Sequence, residues 1–193
     1  VFINSSTTLK QVYSVTYAGE ALTEITAATA VDTSTETGRV RVYVLGSGVP
    51  TDSPATVQVN RTNNSIVQYA VCVTLTADYD TEVYEAGIVL LEEDGSLTEQ
   101  SVDDGSPGTN SLRLAGVNSG SGTPPAAGAS STAVHGIDFG SRSASVVRET
   151  TAGQGARSVG FSASSDDRAA THFAVREILT TPQVQLSAAM PAP

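Results

Sequence analysis

The sequence has few of the residues on which disulfides and metal–thiolate sites depend. Its 193 residues contain one cysteine, Cys72, and no tryptophan. A single cysteine excludes an intrachain disulfide and a cysteine-cluster metal site. Because Cys72 falls on the row of small residues in a predicted strand, we interpret it as a buried thiol that packs as a small hydrophobic group.

Basic residues are also scarce. Lys10 is the one lysine among 10 Lys and Arg residues, against 20 Asp and Glu, and the formal net charge is −10. Binding to a nucleic-acid backbone requires clustered Lys and Arg. The sequence therefore disfavours a nucleic-acid partner, and for the same reason it disfavours an anionic membrane surface.

Long apolar runs are missing as well. No run reaches the ~18 apolar residues that a membrane helix requires, so no membrane insertion is predicted. Charged residues make up only 16% of the chain, and Ser, Thr and Gly are abundant instead. Thr, Val, Ile and Tyr favour strands, whereas the helix formers Leu, Glu and Lys are sparse. The composition predicts an all-β protein.

The clearest strand pattern lies within residues 65–97. Alternate residues are apolar along its first half, in Val67, Tyr69, Val71, Val73 and Leu75. This period of two places one row on a buried face. A second apolar run at 84–91 follows a turn at Asp78–Asp80 and ends before Asp94-Gly95, a pair that suits a tight turn. The pattern predicts a β-hairpin at the centre of the domain.

Further strand patterns recur at an even spacing. They are predicted at 13–17, 25–31, 39–45, 56–60, 97–102, 145–148, 158–161 and 172–180. The last of these is expected at a sheet edge, because Pro182 interrupts it. Strands of this length, separated by Gly, Pro and Asp turns, predict an antiparallel β-sandwich or a jelly roll.

The composition shifts at Asp103. Gly, Ser, Pro and Ala dominate residues 103–132, which predicts a linker or a long surface loop that packs on a neighbouring subunit. The predicted organisation is a β-sandwich core over 1–102 and this excursion over 103–132. Further strands over 133–193 would complete the same domain or a second small β-domain, and would end in an extended tail.

The densest group of carboxylates includes Asp78, Asp80 and Glu82. Alternate acidic residues in a loop present oxygen ligands to Ca²⁺, although the EF-hand pattern fails because Val83 stands where that loop needs glycine. Two alternatives stay open, namely solvated acids that keep the hairpin tip soluble and a calcium site that stiffens an assembly. No other cofactor is predicted.

No motif for catalysis is present. Gly-x-Ser-x-Gly and the Walker A lysine are both absent. The two histidines, His135 and His172, are interpreted as surface or hydrogen-bonded side chains. The sequence predicts no catalytic residue and no enzymatic activity.

Two segments resemble parts of viral structural proteins. Residues 82–97, with Glu85-Ala86-Gly87 and the Asp94-Gly95 turn, resemble a strand–turn–strand of virion appendage modules in tailed phages. Residues 39–48 resemble the valine-rich edge strand and the Gly-Ser-Gly segment of virion β-sandwiches. The resemblance implies a virion structural role and carries over no functional residues.

These observations favour a non-enzymatic structural subunit of a virion, such as a capsid decoration, head-fibre or tail protein. Its expected partners are copies of itself, as a homo-oligomer, a coat protein lattice, or both. Low charge suits a surface that other subunits cover, because burying ions is costly. The apolar residues Val1, Phe2 and Ile3 are the predicted assembly residues.

Two other classes stay open. One is an extracellular or cell-surface filament or pilus-like subunit, in which the strand region 1–17 of one chain completes the sheet of the next. The other is a carbohydrate-binding or adhesin module, a class that normally displays exposed aromatic side chains. The absence of tryptophan disfavours it.

Overall fold

The described part of the chain consists mostly of β-strands. The structure, a computed structural model, describes residues 1–5, 13–32, 38–45, 56–61, 68–73, 75, 80–92, 98–105, 110–162 and 168–178. The strands are β1 Phe2–Ser5, β2 Tyr13–Tyr17, β3 Glu20–Ala21, β4 Thr23–Glu24, β5 Ala30–Asp32, β6 Gly38–Val44, β7 Val57–Arg61, β8 Gln68–Val71, β9 Thr81–Val83, β10 Val89–Leu91, β11 Glu99–Val102, β12 Ser111–Ser119, β13 Ser131–Asp138, β14 Ser143–Glu149, β15 Arg157–Gly160 and β16 Arg168–Glu177. Two 3₁₀ turns, Thr26–Ala28 and Glu85–Gly87, are the helical segments in these ranges. The predicted all-β class is confirmed.

The strands form four antiparallel sheets. A five-stranded sheet has the order β4-β6-β1-β8, with β5 also paired to β6. A six-stranded sheet has the order β10-β16-β12-β14-β13, with β9 also paired to β16. The two smaller sheets are β11-β15 and β3-β2-β7.

The sheets stack in layers, and the six-stranded sheet is covered on both faces. Leu114 and Phe173 point to the five-stranded sheet, where the rings of Phe2 and Phe173 lie 5.7 Å apart. Ala115 and Ala174, on the opposite face, pack against the β11-β15 pair. The three-stranded sheet covers the outside of the five-stranded sheet through Ile3, among other residues. The result is a sandwich-like arrangement of four layers.

Gly116 sets the spacing between the two large sheets. A Cβ atom at this position would lie 2.4 Å from Cδ1 of Phe2. Because such a contact is far shorter than van der Waals distance, the phenyl ring packs directly on the backbone of β12. The missing side chain at Gly116 is therefore a packing requirement of the core.

The predicted central hairpin is wrong. Its first half, β8, pairs with β1, and its second half, β10, pairs with β16 in a different sheet. The predicted strand over 84–91 is interrupted, because Glu85–Gly87 forms a 3₁₀ turn. Alternation reports which face of a strand is buried, and it carries no information about the strand beside it.

The predicted excursion over 103–132 contains the most buried strand of the molecule. β12 lies in the interior of the six-stranded sheet between β14 and β16. Strands from both sides of the expected boundary at 102/103 share this sheet, because β9 and β10 also pair with β16. Small residues such as Ala115 and Gly116 are needed between close layers, and their abundance led to the prediction of a loop.

Three smaller expectations are also corrected. β16 is an interior strand, with β12 on one side and β9 and β10 on the other. β6 likewise lies between β1 and the pair β4 and β5, so the resemblance to an edge strand fails there. The Cys72 thiol, expected to be buried, is exposed. Cys72 comes directly after the end of β8 at Val71, and it lies on the same row of alternate residues as the exposed Ala70.

Candidate functional site

The predicted calcium ligands do not form a shared cluster in the described part of the chain. Asp78 lies outside the described residues, and Asp80 is exposed. Glu82 pairs with Arg176, whose Nε and NH2 atoms donate to Glu82 Oε1 at 2.8 and 2.6 Å. Within the described ranges no group of three or more His, Cys, Asp or Glu side chains could hold a metal ion. The calcium site stays a prediction.

The predicted assembly residues lie inside the chain's own fold. Phe2 and Ile3 are buried on opposite faces of β1, and Val1 is half-buried beside Tyr43. β1 itself fills the space between β6 and β8. A strand donated by a neighbouring chain would have to displace β1 from this position.

His172 is enclosed in the core between the six-stranded sheet and the β11-β15 pair. Its Nδ1 atom lies 3.3 Å from the carbonyl oxygen of Val89, and its Nε2 atom has no hydrogen-bond partner among the described residues. Phe161 presents its ring at 6.2 Å in an edge orientation. Burial lowers the pKa of His172 to about 4, so the imidazole is neutral at physiological pH. A sealed, neutral imidazole has no access to a substrate.

His135 is exposed and belongs to a group of rings that we call the ring cluster: Tyr69, His135 and Phe139. The Tyr69 hydroxyl lies 2.8 Å from His135 Nε2. The planes of Tyr69 and His135 differ by 8°, and those of Tyr69 and Phe139 by 16°. The ring cluster therefore joins β8, in the five-stranded sheet, to β13 and the turn after it.

A β-bulge directs His135 into this cluster. The register of β13 against β14 shifts between Ala133 and His135, so that His135 lies opposite Val146. Val146 faces the five-stranded sheet, and without the bulge His135 would point to the other face. Bulges commonly re-aim a side chain in this way, and here the consequence is a contact across two layers.

The ring cluster marks one side of the sandwich, which we call the lateral face: the edge strands β8 and β13 together with the three rings. β8 ends the five-stranded sheet, and β13 ends the six-stranded sheet. Residues 132–136 of β13 are exposed, and Val134 is 38% exposed. Two sheets therefore end side by side on the lateral face. Among the described strands, no other strand pairs with β8 on that side.

The most densely bonded polar group is a buried ionic network around Arg113. This side chain is fully buried between Asp104 and Glu149, with NH2 at 3.2 Å from Asp104 Oδ2 and NH1 at 3.2 Å from Glu149 Oε1. Its remaining donors are directed to Ser111 Oγ at 2.8 Å, to Val102 O at 3.3 Å, and to the carbonyl oxygens of Gly153 and Gly155. Every donor of the guanidinium therefore has an acceptor.

The network ties three segments of the chain together. Asp104 also accepts from the Gly155 backbone N–H at 3.2 Å, and Glu149 accepts from the Arg113 backbone N–H at 2.8 Å. Arg157 closes the outer side of the network with a 2.9 Å bond to Glu149 Oε2. The 150–156 connection is therefore held against β12 through the carbonyl groups of Gly153 and Gly155. The network serves structure, because its charges are used internally.

The sequence gives few signs of the ionic network around Arg113 or of the ring cluster. Arg113 interrupts an apolar run between Leu112 and Leu114, and a charged residue on a strand's buried row signals a paired ion. Its acceptors include Glu149 and Gly153, which are 36 and 40 residues away in sequence. The partnership of Tyr69 and His135 depends on a bulge that no local pattern announces.

Comparisons with known proteins identify no relative. No family model, no curated protein and no solved structure matches the chain. No helix in the described part of the chain is long and apolar enough to cross a membrane.

Replacing Arg113 by methionine should lower the free energy of unfolding by about 3–5 kcal/mol, because Asp104 and Glu149 would remain buried without their cation. Urea denaturation monitored by circular dichroism measures the change. Arg148→Met is the matched control, because Arg148 lies on the same strand as Glu149 and is exposed; it should change the free energy by less than about 0.5 kcal/mol. Equal effects of the two substitutions would contradict the assigned role of Arg113.

His172 should make the stability depend on pH. The unfolded chain takes up a proton near the usual pKa of 6.5, whereas the folded protein keeps His172 neutral down to about pH 4. The free energy of unfolding should therefore fall as the pH is lowered from 6.5 to about 4, by on the order of 3 kcal/mol from this group. In His172→Gln, which cannot titrate, urea denaturation over this range should show a smaller pH dependence. The same pH dependence in both proteins would contradict the burial of a neutral imidazole.

Proposed function

We propose that this chain is a non-enzymatic structural subunit that acts by packing against other subunits, and that it is a component of a virion. The observation that carries the proposal is the lateral face, where two stacked sheets end in neighbouring edge strands. Among the residues of β8 and β13 the only acidic or basic side chain is Asp138, apart from His135. An edge without such charges is a ready template for pairing with another chain.

The scarcity of charged residues in β8 and β13, compared with the whole chain, supports this interpretation. The chain carries a formal net charge of −10, yet β8 contains no Asp, Glu, Lys or Arg residue and β13 contains one, Asp138. A surface that is covered by another subunit is desolvated, and the free-energy cost of desolvation is smallest for an uncharged surface. The rings of the ring cluster add the aromatic area that is common at protein interfaces.

The interior supports a scaffold more than an active site. The buried ionic network fixes loop 150–156, and His172 is sealed from solvent. The assignment to a virion rests on the resemblance of segment 82–97, of which β9, the 3₁₀ turn and β10 are described. The expected coat lattice is the second partner class of this proposal.

Negative-stain electron microscopy of the purified chain tests the proposed function. We expect regular multi-subunit particles, sheets or fibres when the protein is concentrated, because a packing subunit needs no further component to make its own contacts. Monomers at every concentration, with no binding to any coat lattice, would contradict the proposal. Sedimentation velocity on the same samples gives the size of the smallest assembled species.

A further inference from the structure

We propose that β8 pairs antiparallel with β8 of a second copy of this chain, about a two-fold axis at Ala70. This inference rests on the proposed function and specifies the first contact of the assembly. The pairing would extend the five-stranded sheet of each copy across the axis into one continuous ten-stranded sheet, in which each copy contributes its five strands. A two-fold contact uses the same patch on both copies and is therefore closed.

The backbone of β8 shows which groups are available for this pairing. The Tyr43 N–H donates to the Val1 carbonyl at 2.8 Å, next to the start of β1. Because hydrogen-bonded pairs alternate along an antiparallel ladder, Ile3 and Ser5 of β1 are the residues bonded to β6. The intervening residues, Phe2 and Asn4, are then bonded to β8, where they lie opposite Val71 and Tyr69. In β8, Gln68 and Ala70 direct their N–H and C=O groups to the edge that no other described strand covers, and Cys72, the residue after the strand, continues the same alternation.

These edge-facing groups pair most completely in the register that is centred on Ala70. With Ala70 opposite Ala70 of the partner subunit, Gln68 lies opposite Cys72 of the partner subunit, and all three residues can form antiparallel hydrogen bonds. Four residues of β8 span about 13 Å of edge. The small side chain of Ala70, which is exposed, leaves the axis open for a close approach.

The side chains on the other row also match. In the same register Tyr69 lies opposite Val71 of the partner subunit, and Val71 lies opposite Tyr69 of the partner subunit. A pair of one aromatic and one β-branched residue is among the favourable cross-strand pairs. Tyr69 and Val71 already contact the core between the two large sheets, so the pairing would continue that core across the axis. This match is the reason for choosing a second copy as the partner.

Several other edge strands of the described sheets carry charges that discourage such pairing, and the uncharged edge strand β10, Val89–Leu91, is only three residues long. Edge strand β3 contains Glu20, β7 contains Arg61, and β9 contains Glu82. β8 contains neither a charged residue nor proline, and no register shift interrupts its pairing with β1. Natural proteins protect free edges with charges, proline and bulges. β8 lacks these protections.

β13 ends the neighbouring sheet on the same side, but its bulge limits it. The register shift at Val134 breaks the alternation of free N–H and C=O groups, so a regular ladder cannot run along the whole strand. β8 therefore supplies the backbone pairing, and the ring cluster lies beside it as side-chain contact area. Of the two edge strands on the lateral face, the uninterrupted β8 is therefore the one that can make the first backbone pairing.

Ala70→Lys is the direct test. It would place two like charges opposite each other at the axis, and its long side chain is tolerated in the monomer because Ala70 is exposed. Sedimentation velocity over a concentration series should show at least a tenfold weaker dimer than in the wild-type protein. Gln58→Lys is the matched control, since Gln58 is exposed on edge strand β7 and lies outside the proposed contact. Circular dichroism should show both variants folded.

A cross-linking variant gives a second readout. Directly opposed residues of a hydrogen-bonded antiparallel pair have Cα atoms about 5.5 Å apart, within the range of about 4.4–6.8 Å that a disulfide spans. Ala70→Cys in a Cys72→Ser background should therefore form a covalent dimer under mild oxidation, on non-reducing electrophoresis. The matched control, Gln58→Cys in the same background, should remain monomeric.

The outcomes separate the two proposals. If the wild-type protein assembles and Ala70→Lys assembles equally well, the β8 contact is overturned and the structural role stands. If the wild-type protein forms the Ala70-dependent dimer and nothing larger, the β8 contact stands and the role in a larger assembly is contradicted. A wild-type protein that stays monomeric at every concentration, with no disulfide at Ala70→Cys, overturns the contact.

Discussion

The fold depends on a single constraint, which is that the six-stranded sheet is covered on both faces. A sheet buried in this way has no polar face, so its central strands have to present apolar or small side chains in both directions. β12 and β16 meet this requirement with alanine, glycine, valine and phenylalanine. Where the layers come closest, at Gly116, even a methyl group would collide with Phe2.

The same constraint explains the ionic network. Arg113 and Glu149 lie on neighbouring strands of the doubly covered sheet, where a lone charge would cost several kcal/mol. Each charge is stable there because Asp104, Ser111 and backbone carbonyls of the 150–156 connection supply the missing partners. The same contacts fix the 150–156 connection, which contains two glycines and has no regular secondary structure.

The sequence predicted what depends on local pattern. The strands at 13–17, 39–45, 56–60, 145–148 and 158–161 appear close to their expected positions, because alternation of apolar residues reports burial directly. The pairing of β8 with β1 escaped prediction, since the partner of a strand is chosen by contacts distant in sequence. β12 was predicted as a loop because close packing of layers selects the small residues that are also typical of loops.

The candidate site was the least predictable part. The lateral face combines β8 and β13, which are some sixty residues apart, and its ring cluster depends on a bulge. Its significance comes from the absence of protective charges on β8, which can be recognised only after the edge strands are known. Sequence patterns report burial and turns, whereas an interface is a property of the assembled surface.

The most direct measurement is hydrogen exchange of the β8 amides in dilute and in concentrated protein. The account predicts that the Ala70 N–H, which points to the free edge, exchanges rapidly in the monomer and becomes protected on assembly. The β7 amides around Gln58 should exchange at the same rate in both samples. Unchanged exchange at Ala70 in protein that has assembled would contradict the account.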